Sequence, residues 1–411
     1  MRILQVNAIY GSKSTGTIVK DIDLLLQSES HESYVAFQKS TEVPTNGYKI
    51  GNKLDYKIHA LLTRLLGKQG YFSIASTKKF LKYIDKIKPD IVHLHNLHSN
   101  YINLNMLLEY LAIKNIHTVI TLHDCWFFTG KCFHYQVANC NKFKDSCGDC
   151  PLLKNDVPSW FFDPTAQVLS DKKKLFNNIK SLTVVGVSNW ISSEAKKGIF
   201  KDKDVVTIHN GVDINIFRPT SSKIREKLGL KDEFVILGSA DKWLNPLNRQ
   251  VFNYIISNIT PEMKIVIFGC NKDQQKQLPE SVIGIGYITD RNEMAKIYSM
   301  ADVFVNLTLE EALGLVNIES LACGTPVITY ESGGSPETIS ERTGIVITKG
   351  DKEALLKAIL KIKDRGKTFY EQKCLNHVEK NFIVEDRYKE YVDLYNEIKD
   401  EGGVKCENIF D

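Results

Sequence analysis

Short β-branched runs alternate with amphipathic stretches along the whole chain. The first run, "RILQVN", leads straight into a polar loop with glycines and then an apolar-periodic segment. Such alternation is the pattern of parallel strands covered by helices on both faces. It predicts strands at 2–7, 33–37, 90–95, 118–122 and 182–187, then a second series at 204–208, 234–238, 264–268, 282–286, 302–306, 326–329 and 344–347. Between the series lies "HNGVDINIFRPTSS", where Asn210-Gly211 and Arg218-Pro219 break the periodicity as a linker does. The expected fold class is therefore α/β, with two doubly wound Rossmann-like domains at 1–208 and 209–375. Helices at 376–411 follow, with Tyr388, Tyr391 or Val392, and Tyr395 on one face, and pack on either domain. The carboxyl ends of both sheets would then line a shared cleft, where such folds bind ligands.

Composition sharpens this picture only in places. With 411 residues the chain exceeds what one core usually supports, and 43% apolar with 25% charged residues is ordinary globular content. No apolar run reaches the length of a membrane span, and Met1 leads into a strand rather than a signal peptide, so a cytoplasmic protein is expected. Residues 1–205 hold 27 Lys+Arg against 18 Asp+Glu, a net +9, whereas residues 206–411 hold 26 against 31, a net −5. A basic half suits an anionic partner or is simply a solvated surface. A zinc-bearing nucleic-acid binder would use that half but leaves the second domain without a role, so no nucleic acid is expected.

Two loops carry candidate chemistry. The first strand ends in "NAIYGSKSTGTIVKDI", where Gly11 and Gly16 precede a helix; glycine lets backbone N–H groups approach an anion, and a plain βα turn uses glycine in the same way. The second is "EEALGLVNIESLACGTP", in which Glu311 and Glu319 flank Gly314-Leu315 after the strand "DVFVNLT". A helix starting near Leu313 would offer the N–H groups of Gly314, Leu315 and Val316 to a diphosphate, and Glu319, over a turn further on, can accept from two sugar hydroxyls.

"TLEEALGLVNIESLACGTPVI" resembles the E-G-F-G-L-x-x-x-E-A-x-A-x-G-x-P-V signature of the family 4 retaining glycosyltransferases with the GT-B fold. "GSKSTGTIVKDI", "VITLHD", "VGVSNW", "IHNGVDINIFRP" and "ESGGSPE" match further family segments in order, and "LHDCWFFTGKCFHY" with the cysteines after it resembles the colanic-acid and capsule type. The resemblance implies transfer of a sugar from a nucleotide-sugar, with a UDP-sugar preferred, to a glycan or lipid-linked oligosaccharide, with retention and no catalytic cofactor. It implies that Glu319 holds the ribose, Leu313 to Val316 the diphosphate and sugar, and Glu311 a donor-sugar hydroxyl. Gly16 would lie in the family's glycine loop. His123 would face the transferred sugar, although a histidine at a strand end is also a common packed residue. Where the family supplies two basic residues after "FVILGSA", this chain has Pro246 and Leu247; Lys242 and Arg249 are the nearby replacements. Against transfer stand a sugar-nucleotide epimerase of the same architecture and a sugar-nucleotide-binding scaffold without turnover.

Five of the nine cysteines fall between Cys125 and Cys150. Cys132, Cys140, Cys147 and Cys150, spaced C-x7-C-x6-C-x2-C, suit a structural zinc in a reducing compartment; disulfides or free thiols are the alternatives. Cys125 and His134 are further candidate ligands, and Asp124, beside His123, is either a base for the transfer or an exposed loop acid. Finally, Lys57, Arg64, Lys68, Lys78, Lys79 and Lys82 surround Leu61, Leu62, Leu65 and Leu66. Either the leucines pack inward and leave a solvated basic side, or the segment lies on an anionic membrane surface, peripheral to the inner face of the plasma membrane.

Overall fold

The computed structural model describes residues 1–407, with side chains described through residue 400. The chain divides into two compact units, Met1–His209 joined by the chain from Tyr388 onward, and Asn210–Arg387.

The first unit holds a seven-stranded parallel sheet: β1 (Arg2–Tyr10), β2 (Glu32–Ser40), β3 (Gly47–Lys49), β4 (Ile91–Leu94), β5 (His117–Leu122), β6 (Leu182–Gly186) and β7 (Asp204–Thr207). Their spatial order is β3-β2-β1-β4-β5-β6-β7. The central strands are β-branched and buried on both faces, as parallel strands sandwiched by helices must be. Two outcomes differ from the pattern reading. Residues 204–207, grouped with the second strand series although inside the expected 1–208 domain, close the first sheet, with Val184 opposite Val205. The edge strand β3 is too short and polar to leave a periodic signal.

The second unit holds a six-stranded parallel sheet of β8 (Phe234–Ser239), β9 (Met263–Phe268), β10 (Val282–Gly284), β11 (Val303–Asn306), β12 (Val327–Tyr330) and β13 (Gly344–Ile347), in the order β10-β9-β8-β11-β12-β13. In both sheets the winding reverses once, between β1 and β4 and between β8 and β11. The carboxyl ends of strands at such a reversal are where open α/β sheets take ligands.

The connecting segments touch within the second unit: Val212 bridges Ile383, and a side chain on Gly211 would meet the Val384 backbone. Helix Lys367–Asn381 stays with the second unit, burying Tyr370, Cys374 and Val378. The last helix, Val384–Glu407, belongs from Tyr388 on to the first unit, where the Tyr391 and Tyr395 hydroxyls reach Thr121 on β5 (3.2 Å) and His93 on β4 (2.6 Å).

Candidate functional site

In the second unit the chain leaves β11 through Leu307 to Leu313 and enters the helix Leu315–Ala322, slightly later than the start expected near Leu313. Gly314 takes φ +95°, a left-handed conformation that disfavours a side chain, and Leu313 is buried beneath it. No side chain caps this helix; the Asn317 N–H donates to the Gly314 carbonyl at 3.0 Å, while those of Leu315 and Val316 have neither a side-chain cap nor an intrahelical acceptor. The turn is held by Asn317, whose amide nitrogen donates to the Ser335 and Thr338 hydroxyls (3.0 Å each) and whose oxygen accepts from Asn306 at the end of β11 (2.8 Å).

Glu311 is positioned by the "ESGGSPE" loop. Its carbonyl accepts from the Gly334 N–H at 3.1 Å, and a side chain on Gly333, at φ +54°, would stand 1.8 Å from that same carbonyl oxygen. Its carboxylate accepts from the Ala312 N–H at 3.2 Å.

Glu319, a helical turn further on, accepts from the Tyr298 hydroxyl at 3.2 Å. Burial pushes its carboxyl up to about 7, while the nearby Arg291 charge and the Tyr298 hydroxyl pull the other way. A buried carboxylate with few donors is poorly solvated, and two vicinal hydroxyls of a ligand would supply the missing hydrogen bonds. Arg291 and Tyr298 were not singled out in the sequence. Arg291 opens the helix Arg291–Met300 behind the cap Asp290, a pattern that marks the helix start but not its approach to Glu319.

The basic replacements flank a tight turn after β8. Trp243 donates from its indole nitrogen to the Val305 carbonyl (2.8 Å), and Asn248 donates to the Leu307 carbonyl (2.9 Å), so this turn is fastened to the exit of β11. Lys242 pairs with Asp241 at 3.2 Å, whereas Arg249 is exposed and lines a cavity of about 470 Å³ with Trp243, Pro246 and Phe252. Glu311, Gly314 and Glu319 do not line that cavity.

In the first unit Gly16 sits inside the helix Lys13–Ser28, where a side chain would press on the Ile9 carbonyl at 3.2 Å; its bareness serves helix-to-strand packing. A cavity of about 500 Å³ opens at the carboxyl ends of β1, β2 and β3, lined by Lys13, Lys39, Lys49 and Lys53 with Ser12 and Gln38. Part of the basic excess of this half gathers there.

His123 follows β5 and ends a chain of buried polar groups. Gln5 donates to the Val19 carbonyl (3.2 Å), which turns its oxygen toward His95 Nε2 (3.2 Å), and His95 Nδ1 lies 3.0 Å from His123 Nε2. Because the Gln5 oxygen only accepts, a neutral His95 donates from Nε2 and accepts at Nδ1. His123 therefore donates from Nε2 and keeps Nδ1 as an acceptor. Burial lowers the His123 pKa to about 4, against the pull of Asp124, so the ring is neutral near pH 7. Asp124 is not the exposed acid expected: it pairs with His98 at 2.9 Å and accepts from the Trp126 N–H at 2.8 Å. Burial works to raise its pKa, but His98 and that N–H hold it below the usual range.

The cysteine loop brings two of the four candidate thiols into contact. The Cys132 and Cys150 thiols hydrogen-bond each other, and Cys147 lies within electrostatic reach of Cys140 and Cys150. Among the described residues, however, no three His, Cys, Asp or Glu side chains converge to hold a metal ion. Lysine-to-carbonyl bonds also shape the loop: Lys131 donates to Leu152 and Asn155, and Lys142 to Gly148 and Asp149.

Comparison with known proteins agrees with both units. The model of "Glycosyltransferase Family 4" matches residues 17–216, and that of "Glycosyl transferases group 1" matches residues 247–373. A putative colanic acid biosynthesis glycosyl transferase of Escherichia coli (strain K12) is 24% identical over 64% of this chain, and the chain spans 64% of that relative's length. A UDP-Gal:alpha-D-GlcNAc-diphosphoundecaprenol alpha-1,3-galactosyltransferase of Escherichia coli is 28% identical over 46% of this chain and 54% of its own. Among solved structures, Anabaena HepE in complex with UDP-glucose superposes with a TM-score of 0.63 at 16% identity, covering 97% of this chain and 100% of that one. No helix among the described residues is long and apolar enough to cross a membrane. Two family models in tandem, on two parallel sheets wound as the sequence pattern predicts, make this chain a member of the family 4 glycosyltransferases with the GT-B fold.

Proposed function

We propose that the protein is a retaining hexosyltransferase that moves a sugar from a UDP-sugar to a lipid-linked glycan during synthesis of a bacterial surface polysaccharide. The observation that carries this reading is the Glu311–Glu319 segment: an uncapped helix start at a glycine of positive φ, with a poorly solvated carboxylate one turn beyond, at the strand ends where the second sheet reverses. Glu319 accepts from the ribose hydroxyls, the N–H groups of Gly314, Leu315 and Val316 meet the diphosphate, and Glu311 accepts from a hydroxyl of the donor sugar. His123, neutral and with Nδ1 as an acceptor, orients a hydroxyl of the transferred sugar. Lys242 and Arg249 offset the charge that develops on the departing diphosphate, a role worth several kcal/mol in comparable sites.

In this scheme the acceptor hydroxyl attacks the anomeric carbon from the face the nucleotide leaves, and a leaving phosphate oxygen takes its proton. The protein supplies position and charge. The solved HepE complex with UDP-glucose and the diphosphoundecaprenol-dependent relative support a UDP-sugar and a lipid-linked acceptor. The lysine-lined cavity of the first unit supports an acceptor that carries phosphate.

The test is incubation with UDP- and GDP-sugars, with and without lipid-linked acceptors, reading free nucleotide, glycan size and the anomeric configuration of the product. Free nucleotide together with a larger, retained product is expected; an isomerised donor would make the protein an epimerase. Pro246 and exposed Leu247, in place of a basic pair, favour a second reading, a sugar-nucleotide-binding scaffold. Tight UDP binding without turnover on any acceptor would select it. Under the transferase reading, Lys242→Ala with Arg249→Ala lowers kcat by at least about tenfold.

A further inference from the structure

The helix Lys53–Leu66 is built inside out. Its buried positions are His59, Ala60 and Thr63, while Leu54, Ile58 and Leu61 are 65%, 49% and 49% exposed. These three recur at the spacing of a single helical face. A soluble helix buries its apolar stripe, so the stripe here is unpartnered within the chain. The same surface continues past the helix end, where the Trp160 N–H donates to the Arg64 carbonyl at 2.6 Å. Trp160, Phe161 and Phe162 are 46%, 70% and 57% exposed, three aromatic side chains in a row on one loop. Gly67 lets this loop close on the helix, since a side chain there would stand 2.7 Å from the Ser159 hydroxyl.

We propose that this outer helix face, continued by the Trp160–Phe162 loop, docks on the surface of an anionic lipid bilayer. Charge decides for lipid over another protein. Lys53 and Lys57 are exposed beside the stripe, and Arg64 and Lys68 extend their row. None of the four pairs with a carboxylate among the described residues. The nearby acids are turned elsewhere: Asp55 accepts from Ser76, Asp163 accepts from the N–H groups of Cys150 and Thr165, and Asp156 lies within electrostatic reach of Lys131. Apolar and aromatic side chains ringed by unpaired cations are what an anionic headgroup layer over acyl chains complements.

Position supports the same occupant. Lys53 lines the cavity at the carboxyl ends of β1 to β3, and Leu54 begins the stripe. From Lys53 to Arg64 the helix rises about 17 Å, so a bilayer against the stripe lies beside the mouth of the lysine-lined cavity. The inference deepens the proposed function, which places a lipid-linked acceptor in the first unit, by naming the surface that would bring the protein to that acceptor.

The test uses the full chain and vesicles without acceptor. Co-sedimentation with phosphatidylglycerol-containing vesicles at low ionic strength is expected, with weak binding to pure phosphatidylcholine and loss at high salt. Trp160→Ser with Phe161→Ser and Phe162→Ser, and separately Lys57→Glu, are each expected to lower the partition coefficient by at least about tenfold while UDP binding stays unchanged. Three outcomes overturn the proposal: wild-type protein left in the supernatant at low salt, variants that bind vesicles like wild type, or a lipid-free dimer that these variants convert to monomer. Because the vesicles contain no acceptor, failure here leaves glycosyl transfer untouched, and failure of transfer leaves vesicle binding intact.

Discussion

Replacing Glu319 with glutamine is expected to stabilise the second unit while weakening its hold on the donor. The Glu319 carboxyl is raised from its ordinary 4.5 to about 7, chiefly by burial. Between those pH values the unfolded chain has released a proton that the folded chain retains, so stability falls as pH rises through this window. Above pH 7 the accumulated cost is roughly 3 kcal/mol, taking 1.36 kcal/mol per pH unit and a residue that is only partly exposed. Glu319→Gln removes the charge and with it most of that cost. For a unit of this size the gain corresponds to a Tm increase of several degrees, on the order of 2–4 °C per kcal/mol. The gain should be present at pH 8, shrink through pH 6 and vanish near pH 4, where the carboxyl is neutral in both states. Under the proposed function the same variant takes a charged acceptor away from the ribose hydroxyls, which costs about 1.5–3 kcal/mol, or roughly 10- to 100-fold in UDP affinity. Thermal unfolding across pH and calorimetric titration with UDP read the two effects separately. A variant that is less stable at pH 8, or whose Tm difference does not depend on pH, would refute the desolvation account.

Further expectations follow from neighbouring contacts. Gly333→Ala puts a methyl group 1.8 Å from the Glu311 carbonyl at a positive φ, so it should displace the Glu311 loop and cut turnover far more than it changes folding of the first unit, as activity and circular dichroism will tell. Gln5→Met removes the acceptor that sets the His95 and His123 protons; a loss of about 1–3 kcal/mol in stability with a fall in kcat at near-constant donor KM is expected from thermal melts and steady-state kinetics. We expect about one zinc per chain in protein purified under reducing conditions, with Cys140 and Cys147 moving to join the Cys132–Cys150 pair; metal analysis finding none, with Tm unchanged on chelation, would leave the cysteines as thiols.

Most strands of both sheets are legible in the sequence because parallel strands are buried on both faces and read as dense β-branched runs. What escaped was non-local. Residues 204–207 look like any other strand, and only pairing with β6 assigns them to the first sheet. In the basic helix the period locates the leucine face but says nothing of its direction; Leu61 and Leu66 are exposed and Leu62 and Leu65 half-buried, so the leucines do not all pack inward. The glutamate segment was readable because strand, glycine and helix follow one another directly. Arg291 and Tyr298 approach Glu319 from a separate helix, and His98 meets Asp124 from another loop 26 positions away, so no local spacing reveals them. Gly16 reads from sequence equally as a glycine for ligand approach or for a plain turn, and a side chain there would meet Ile9.

The reach of Tyr395 to His93 has a consequence for how the protein is made. Domains generally fold in the order in which they leave the ribosome. Here His93 waits 302 residues for Tyr395 and Thr121 waits 270 for Tyr391, until the whole second unit has emerged. The unit begun first is therefore completed last, and His93, fully buried in the finished fold, stays without its Tyr395 partner throughout synthesis of the other. A chain cut short before Tyr388 should give an intact second unit beside an unfinished first one.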